Sequence, residues 1–232
     1  MEEKNYSIRI AESTDLGAVL EIMRDNFHFE ETIANILYLE KGLSESELDE
    51  VSHCLDKSIE AAFNSSKCIV AVENNSNKIV GATVTLLSEN PKFGNGTNGL
   101  TAITPTSESI PMFITEYWEY LENLDKLANL FGRYPDAKKI MEVYAVAVDH
   151  THRKRGLARQ MLVRSIELAR ESDIPIVYGV FTSPFSTKSA DRAGMRNVME
   201  MNLLDSLDIN GKLTSVKSIP HDTVSIMVHE II

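Results

Sequence analysis

The segment KIMEVYAVAV (139–148) is apolar almost throughout, which fits a strand covered on both faces rather than one half open to water. DHTHRKRG (149–156) follows, and then LARQMLVRSIELARES (157–172), whose Leu157, Met161, Leu162, Ile166 and Ala169 recur on one helical face. A doubly covered strand feeding straight into an amphipathic helix commits the chain to a layered α/β architecture.

The turn between them concentrates Arg153, Lys154 and Arg155 ahead of Gly156. A helix N-terminus leaves N–H groups unpaired and carries about half a positive charge, which suits an anion. Glycine lets the backbone approach a ligand closely. The segment therefore reads as a phosphate or pyrophosphate cradle, or else as a solvated basic turn that opens a helix. It is neither the GxxxxGK[ST] loop nor the GxGxxG fingerprint.

The rest of the chain supplies further layers. SIRIAE (7–12) alternates like a strand, and STDLGAVLEIMRDNF (13–27) reads as a helix capped by Ser13 or Thr14. Ser44 and Glu47 form a capping box for a helix through Val51, Leu55, Ile59 and Phe63. CIVAVE, NNSN and KIVGATVTLL (68–87) predict an antiparallel hairpin. A long Gly/Asn/Thr/Pro-rich loop spans 88–111, and a third helix covers 113–131. IPIVYGVF is another strand, a short helix is expected from about Thr187 to Ala193, and two strands close the chain. No composition break appears, so residues 1–232 are expected to form a single domain.

The net charge of −11 argues against nucleic acid or an anionic membrane as main partner, favours cationic ligands, and equally serves solubility. Cys54 and Cys68 have no metal-ligand or CxxC spacing and read as reduced thiols. No leader or membrane-length apolar run is visible, which points to the cytoplasm. His150 and His152 form an H-x-H pair without carboxylate or cysteine company, so no metal is expected.

The segment VYAVAVDHTHRKRGLARQMLVRSIELA resembles the acetyl-CoA-binding motif of the GNAT superfamily of N-acetyltransferases, [R/Q]xxGx[G/A], filled here by Arg153, Gly156 and Ala158. The likeness covers nearly the whole chain. FHFEETI, FTSPFS and PHDTVSIMV resemble segments of the invertebrate arylalkylamine (dopamine-type) N-acetyltransferases. The resemblance implies an α/β (α+β) fold with a central, twisted, mixed but mostly antiparallel sheet of about seven strands. A splayed central strand and flanking helices belong to it. It further implies transfer of an acetyl group from acetyl-CoA to a small arylalkylamine of the dopamine, tyramine, octopamine or serotonin type. The alternatives are an aliphatic diamine or polyamine acetyltransferase, or a non-catalytic acyl-CoA-binding module. The protein would act as a monomer or homodimer.

On this likeness Glu31 is the general base, acting through water, with neighbouring Glu30 as second candidate. A base is needed because fewer than about 1% of alkylamine molecules are unprotonated at neutral pH. Ala190 and Met195 stand where many family members have tyrosine and phenylalanine, which excludes a tyrosine acid there. Ser186 is the candidate for the thiol end with Thr182 as helper, and both also fit capping of the helix that follows. Val146, Ala147 and Val148 are expected to offer amides to the pantetheine arm and thioester carbonyl. Arg153, Lys154, Arg155, Gly156, Leu157 and Ala158 are expected around the pyrophosphate. His221, Phe29 and Phe185 are expected at the amine, with Phe27, Tyr117 and Trp118 as further aromatic candidates. Thr32 departs from the proline of the resembling pattern.

Overall fold

The computed structural model describes residues 5–105, 110–203 and 223–231. Its strands are β1 (Tyr6–Ile10), β2 (Ile69–Glu73), β3 (Lys78–Glu89), β4 (Lys139–Val148), β5 (Ile176–Phe181), β6 (Arg196–Asn202) and β7 (Thr223–Glu230). They form one sheet in the order β1-β2-β3-β4-β5-β7-β6, antiparallel except for β4 with β5. This is the mixed, mostly antiparallel sheet that the resemblance implies.

β4 carries the feature that makes a site. Against β3, Val84 pairs with Ala145 and Thr85 with Val143, so Tyr144 is an extra residue in a bulge. The bulge reverses the side-chain alternation. Met141 and Val143 pack toward helix α7 (Leu157–Glu171), whereas Ala145 and Ala147 join the core on the other face. Between β4 and β5 the ladder covers Ile140–Glu142 with Ile176–Tyr178 and goes no further. Gly179 stands where the strands part. A Cβ there would lie 3.2 Å from the Val143 carbonyl oxygen and 2.9 Å from the Phe181 ring.

Helix α7 buries all five of the apolar residues that its periodicity marks. The opposite face is covered by α1 (Leu16–Met23), α2 (Thr32–Lys41), α3 (Glu45–Ser65) and α5 (Met112–Ala128). The capping box of α3 forms as expected, with Glu47 Oε2 accepting from the Ser44 amide at 2.8 Å.

Several expectations are corrected. Residues Ser13–Asp15 form a 3₁₀ turn and Glu12 takes the cap position, because Asp15 is held by Arg9 at 2.6 Å and by the Glu12 amide at 2.7 Å. α1 ends in a π-helical turn, Arg24–His28. Helix α2 has no counterpart among the elements expected from the sequence. The long loop contains a 3₁₀ turn at Pro91–Phe93 and a short helix, α4 (Gly99–Ile103). The third helix breaks at Asn129, which sits at φ 43°, before a last turn α6 (Leu130–Arg133). Helix α8 (Pro184–Arg192) begins three residues earlier than expected because Ser183 caps it. Among the described residues no helix is long and apolar enough to cross a membrane.

Candidate active site

The parting of β4 from β5 opens a cleft. Phe27, Glu31, Val146, Thr182 and Ser186 line one end, and Glu142 and Asp125 also reach its wall. The antiparallel alternation with β3 sets which β4 amides face it. The Asp149 N–H bonds to the Val80 carbonyl at 2.9 Å, so Ala147 likewise turns its N–H into the sheet. Val146 and Val148 turn theirs toward the open edge. Ala147, expected among the cofactor amides, is therefore excluded from that role.

Glu31 is the N-cap of α2. Its Oε2 accepts from the amides of Ile33 (3.0 Å) and Ala34 (2.9 Å), and its Oε1 accepts from Thr182 Oγ1 at 2.7 Å. These bonds, with a weaker contribution from the Thr32 amide, fix the carboxylate in place at the cleft wall. Burial raises its pKa above the ordinary glutamate value, against the lowering effect of these hydrogen bonds. Thr32 Oγ1 donates to the Thr182 carbonyl at 2.9 Å, a tie that proline could not make. Thr182 accordingly serves Glu31 and shows no bond to Ser186.

Ser186 lines the cleft in the first turn of α8, and its hydroxyl donates to the Ser183 carbonyl at 2.9 Å. Ser183, not Thr182 or Ser186, is the helix cap, accepting from the Ser186 amide at 3.2 Å. Ala190 is fully buried.

The basic turn is organised by its neighbours. Arg153 pairs with Glu30 at 2.5 Å and donates from Nε to the Val148 carbonyl at 3.1 Å. Arg155 donates to Tyr6 Oη at 2.8 Å and lies over its ring. Lys154 takes a left-handed φ of 64°, which costs a non-glycine residue about 1 kcal/mol. Gly156 caps α7 at φ 76°, no side chain caps the helix, and a Cβ there would meet little but Gln160 Nε2 at 3.9 Å. Leu157 is buried, so it can offer its amide alone, while Ala158 is half-buried beside it. Buried Asn26 fastens this loop through Oδ1, which accepts from the His150 amide at 3.0 Å. Open backbone donors, space above Gly156 and nearby cations fit a pyrophosphate.

Other expected residues lie elsewhere. Glu30 is exposed in its pair with Arg153 and does not line the cleft. Phe29 packs on Tyr38 and Phe113, with ring centroids 5.6 and 6.2 Å away. Phe185 is 74% exposed. Trp118 stacks behind Tyr144 rather than lining the cleft. The aromatic lining consists of Phe27, Tyr117, Tyr144 and Phe181. His221 falls outside the described residues.

Sequence reasoning missed a second acidic group. Tyr178 Oη lies 3.0 Å from Glu142 Oε2 and 3.1 Å from Asp125 Oδ1. Burial, aided by Asp125, pushes the Glu142 pKa up to about 8. The Tyr117 and Tyr144 hydroxyls bond to each other, and burial first, then the nearby Glu142 and Glu31, raises their pKa values. The sequence signal for Glu142 is an acid inside an otherwise apolar strand.

The model of the acetyltransferase (GNAT) family matches residues 32–190. The chain belongs to that family. Acetyl-CoA is the acyl donor of GNAT enzymes, and the splayed strand and basic turn of this family member suit it. Solved structures share its fold. The putative arylalkylamine N-acetyltransferase 7 of the yellow fever mosquito Aedes aegypti superposes with a TM-score of 0.79 at 16% identity, covering 97% of this chain and 87% of that one. Arylalkylamine N-acetyltransferase 2 of Aedes aegypti gives 0.73 at 23% identity, covering 98% and 100%. The Drosophila melanogaster polyamine N-acetyltransferase, described as forming N-acetylagmatine, gives 0.73 at 16%, also covering 98% and 100%.

Proposed function

We propose that this GNAT protein acetylates small primary amines, with Glu31 as general base. The observation that carries the reading is the position of Glu31. Its carboxylate lines the same cleft as the open amide edge of β4 and is held there by the Ile33 and Ala34 amides and the Thr182 hydroxyl. Acetyl-CoA, when bound, supplies the activated acyl group as a thioester. The Val146 N–H is directed to polarise the acyl carbonyl, and losing such a donor typically costs about 3 kcal/mol in the barrier. Val148 extends the same edge, and the amides from Arg153 to Ala158 hold the pyrophosphate. Glu31 takes the ammonium proton through water, and Ser186 supplies a hydroxyl near the departing thiol. The aromatic and aliphatic waist of Phe27, Tyr117, Tyr144 and Val180 supports an arylalkylamine acceptor, in line with the resemblance. The acidic wall at Glu142 favours a second reading, a diamine or polyamine. One domain, in the cytoplasm, suffices for either.

Thiol release measured across pH tests the base. Because the Glu31 pKa is raised, kcat/KM should climb with pH through a limb above the ordinary glutamate value of 4.5. Glu31→Gln should lower kcat by about 10²–10⁴-fold. The Thr182 hydrogen bond lowers the Glu31 pKa, so Thr182→Val should move the limb to higher pH. An unshifted limb in Thr182→Val, or full activity in Glu31→Gln, would remove Glu31 from the role.

A further inference from the structure

The cleft has two acidic ends, and the proposed chemistry uses one of them. Glu31 sits at the level of Thr182, just past the end of β5, whereas Glu142 bonds to Tyr178, four residues earlier on the same chain segment. Four strand residues span about 13 Å. Glu142 is 91% buried within a wall of the cleft. Tyr178 occupies one of its oxygens, and among the described residues no lysine or arginine forms an ion pair with it or with Asp125. Asp125 Oδ2 accepts from Asn98 Nδ2 at 2.9 Å, a neutral donor. With no counter-charge beside it, burial keeps Glu142 protonated up to about pH 8, and an ammonium or guanidinium placed against it would favour release of that proton.

We infer that Glu142 and Asp125, bridged by Tyr178, form an acidic far subsite that takes a second cationic group of the acceptor. Building on the acetyl-transfer reading, this makes the preferred acceptor a diamine or a guanidinoalkylamine. An arylalkylamine fills the waist but leaves Glu142 without a counter-charge. A dication supplies that charge while its methylenes cross the same apolar waist, between the Tyr117–Tyr144 pair and Val180. After side-chain reach and two contact distances, the span suits charges separated by about four to six carbons.

The test uses acceptors that differ in the far charge alone, cadaverine against pentylamine, with tyramine and agmatine beside them. Thiol release from acetyl-CoA is followed on the full chain. Cadaverine should exceed pentylamine in kcat/KM by about tenfold or more, chiefly through KM. Glu142→Gln and Asp125→Asn should each bring that ratio toward one, with circular dichroism and acetyl-CoA affinity as checks on folding. Equal values in the unaltered protein, or a ratio that survives both substitutions, would overturn the subsite. Tyramine outrunning cadaverine, with Glu142→Gln abolishing the tyramine advantage, would assign the carboxylate to a ring hydroxyl and also overturn it. If no amine turns over, the acetyl-transfer reading fails instead. Calorimetric titration of cadaverine then decides the subsite: binding that Glu142→Gln abolishes upholds it, and binding absent or unaffected by the substitution overturns it.

Discussion

Glu142 shows how one residue can be local in sequence and distant in consequence. In KIMEVYAVAV it interrupts an apolar strand, and no neighbour in sequence explains it. In the fold, burial and Asp125 push its pKa to about 8, so the folded state holds a proton that the unfolded chain releases near 4.5. Stability from this group is complete below about pH 4.5 and is lost as pH rises toward 8. Tyr178 donates to it, and Asp125 is the nearest charge. Glu142→Gln, which removes the titration and keeps the shape, should melt close to the unaltered protein at pH 4.5. The variant should lead by several degrees at pH 8.5, in thermal denaturation without ligand. A difference independent of pH would contradict the raised pKa. The family likeness singles out Glu31 as a candidate, but nothing in the sequence points to its partners. The Ile33 and Ala34 amides and the Thr182 hydroxyl become its partners once α2 exists and β5 ends beside it.

At the scale of elements, the turn between β4 and α7 is tied to the turn before α2 by Glu30 and Arg153. Both side chains are well exposed, so the pair contributes little to stability. It does set Glu30 against a phosphate for the same guanidinium. Glu30→Gln should therefore tighten acetyl-CoA, lowering its KM by about two- to fivefold, with kcat little changed. Titration of the purified protein with CoA gives the same answer without turnover, and weaker binding would show that the pair instead orders the turn. Helix α2 escaped sequence reading for a physical reason. Its ten residues, Thr32–Lys41, are capped by a glutamate rather than by serine, threonine, aspartate or asparagine. Helix α3 carried the Ser44–Glu47 signature and was legible at once.

For the molecule as a whole, a net charge of −11 surrounds a cleft whose ends are acidic, while the cations near it gather at the basic turn. Such a field draws a dication more strongly than a monocation. Raising salt from low to about 0.3 M should lower kcat/KM for cadaverine more than for pentylamine, and equal slopes would show that no long-range attraction acts. The strand–basic turn–helix unit, the hairpin and the layered α/β class could be read from the chain alone, because they rest on periodicity and caps, and the family likeness rests on the motif around Arg153 and Gly156. The tertiary structure alone decided which residues meet. The Tyr144 bulge reverses the faces of β4, the ladder to β5 ends at Glu142, and the gap so opened gathers side chains from α2, α5, β4 and the end of β5. Periodicity within one segment cannot register a bulge imposed by its partner strand, nor the meeting of Glu31 with Thr182, 151 residues along the chain.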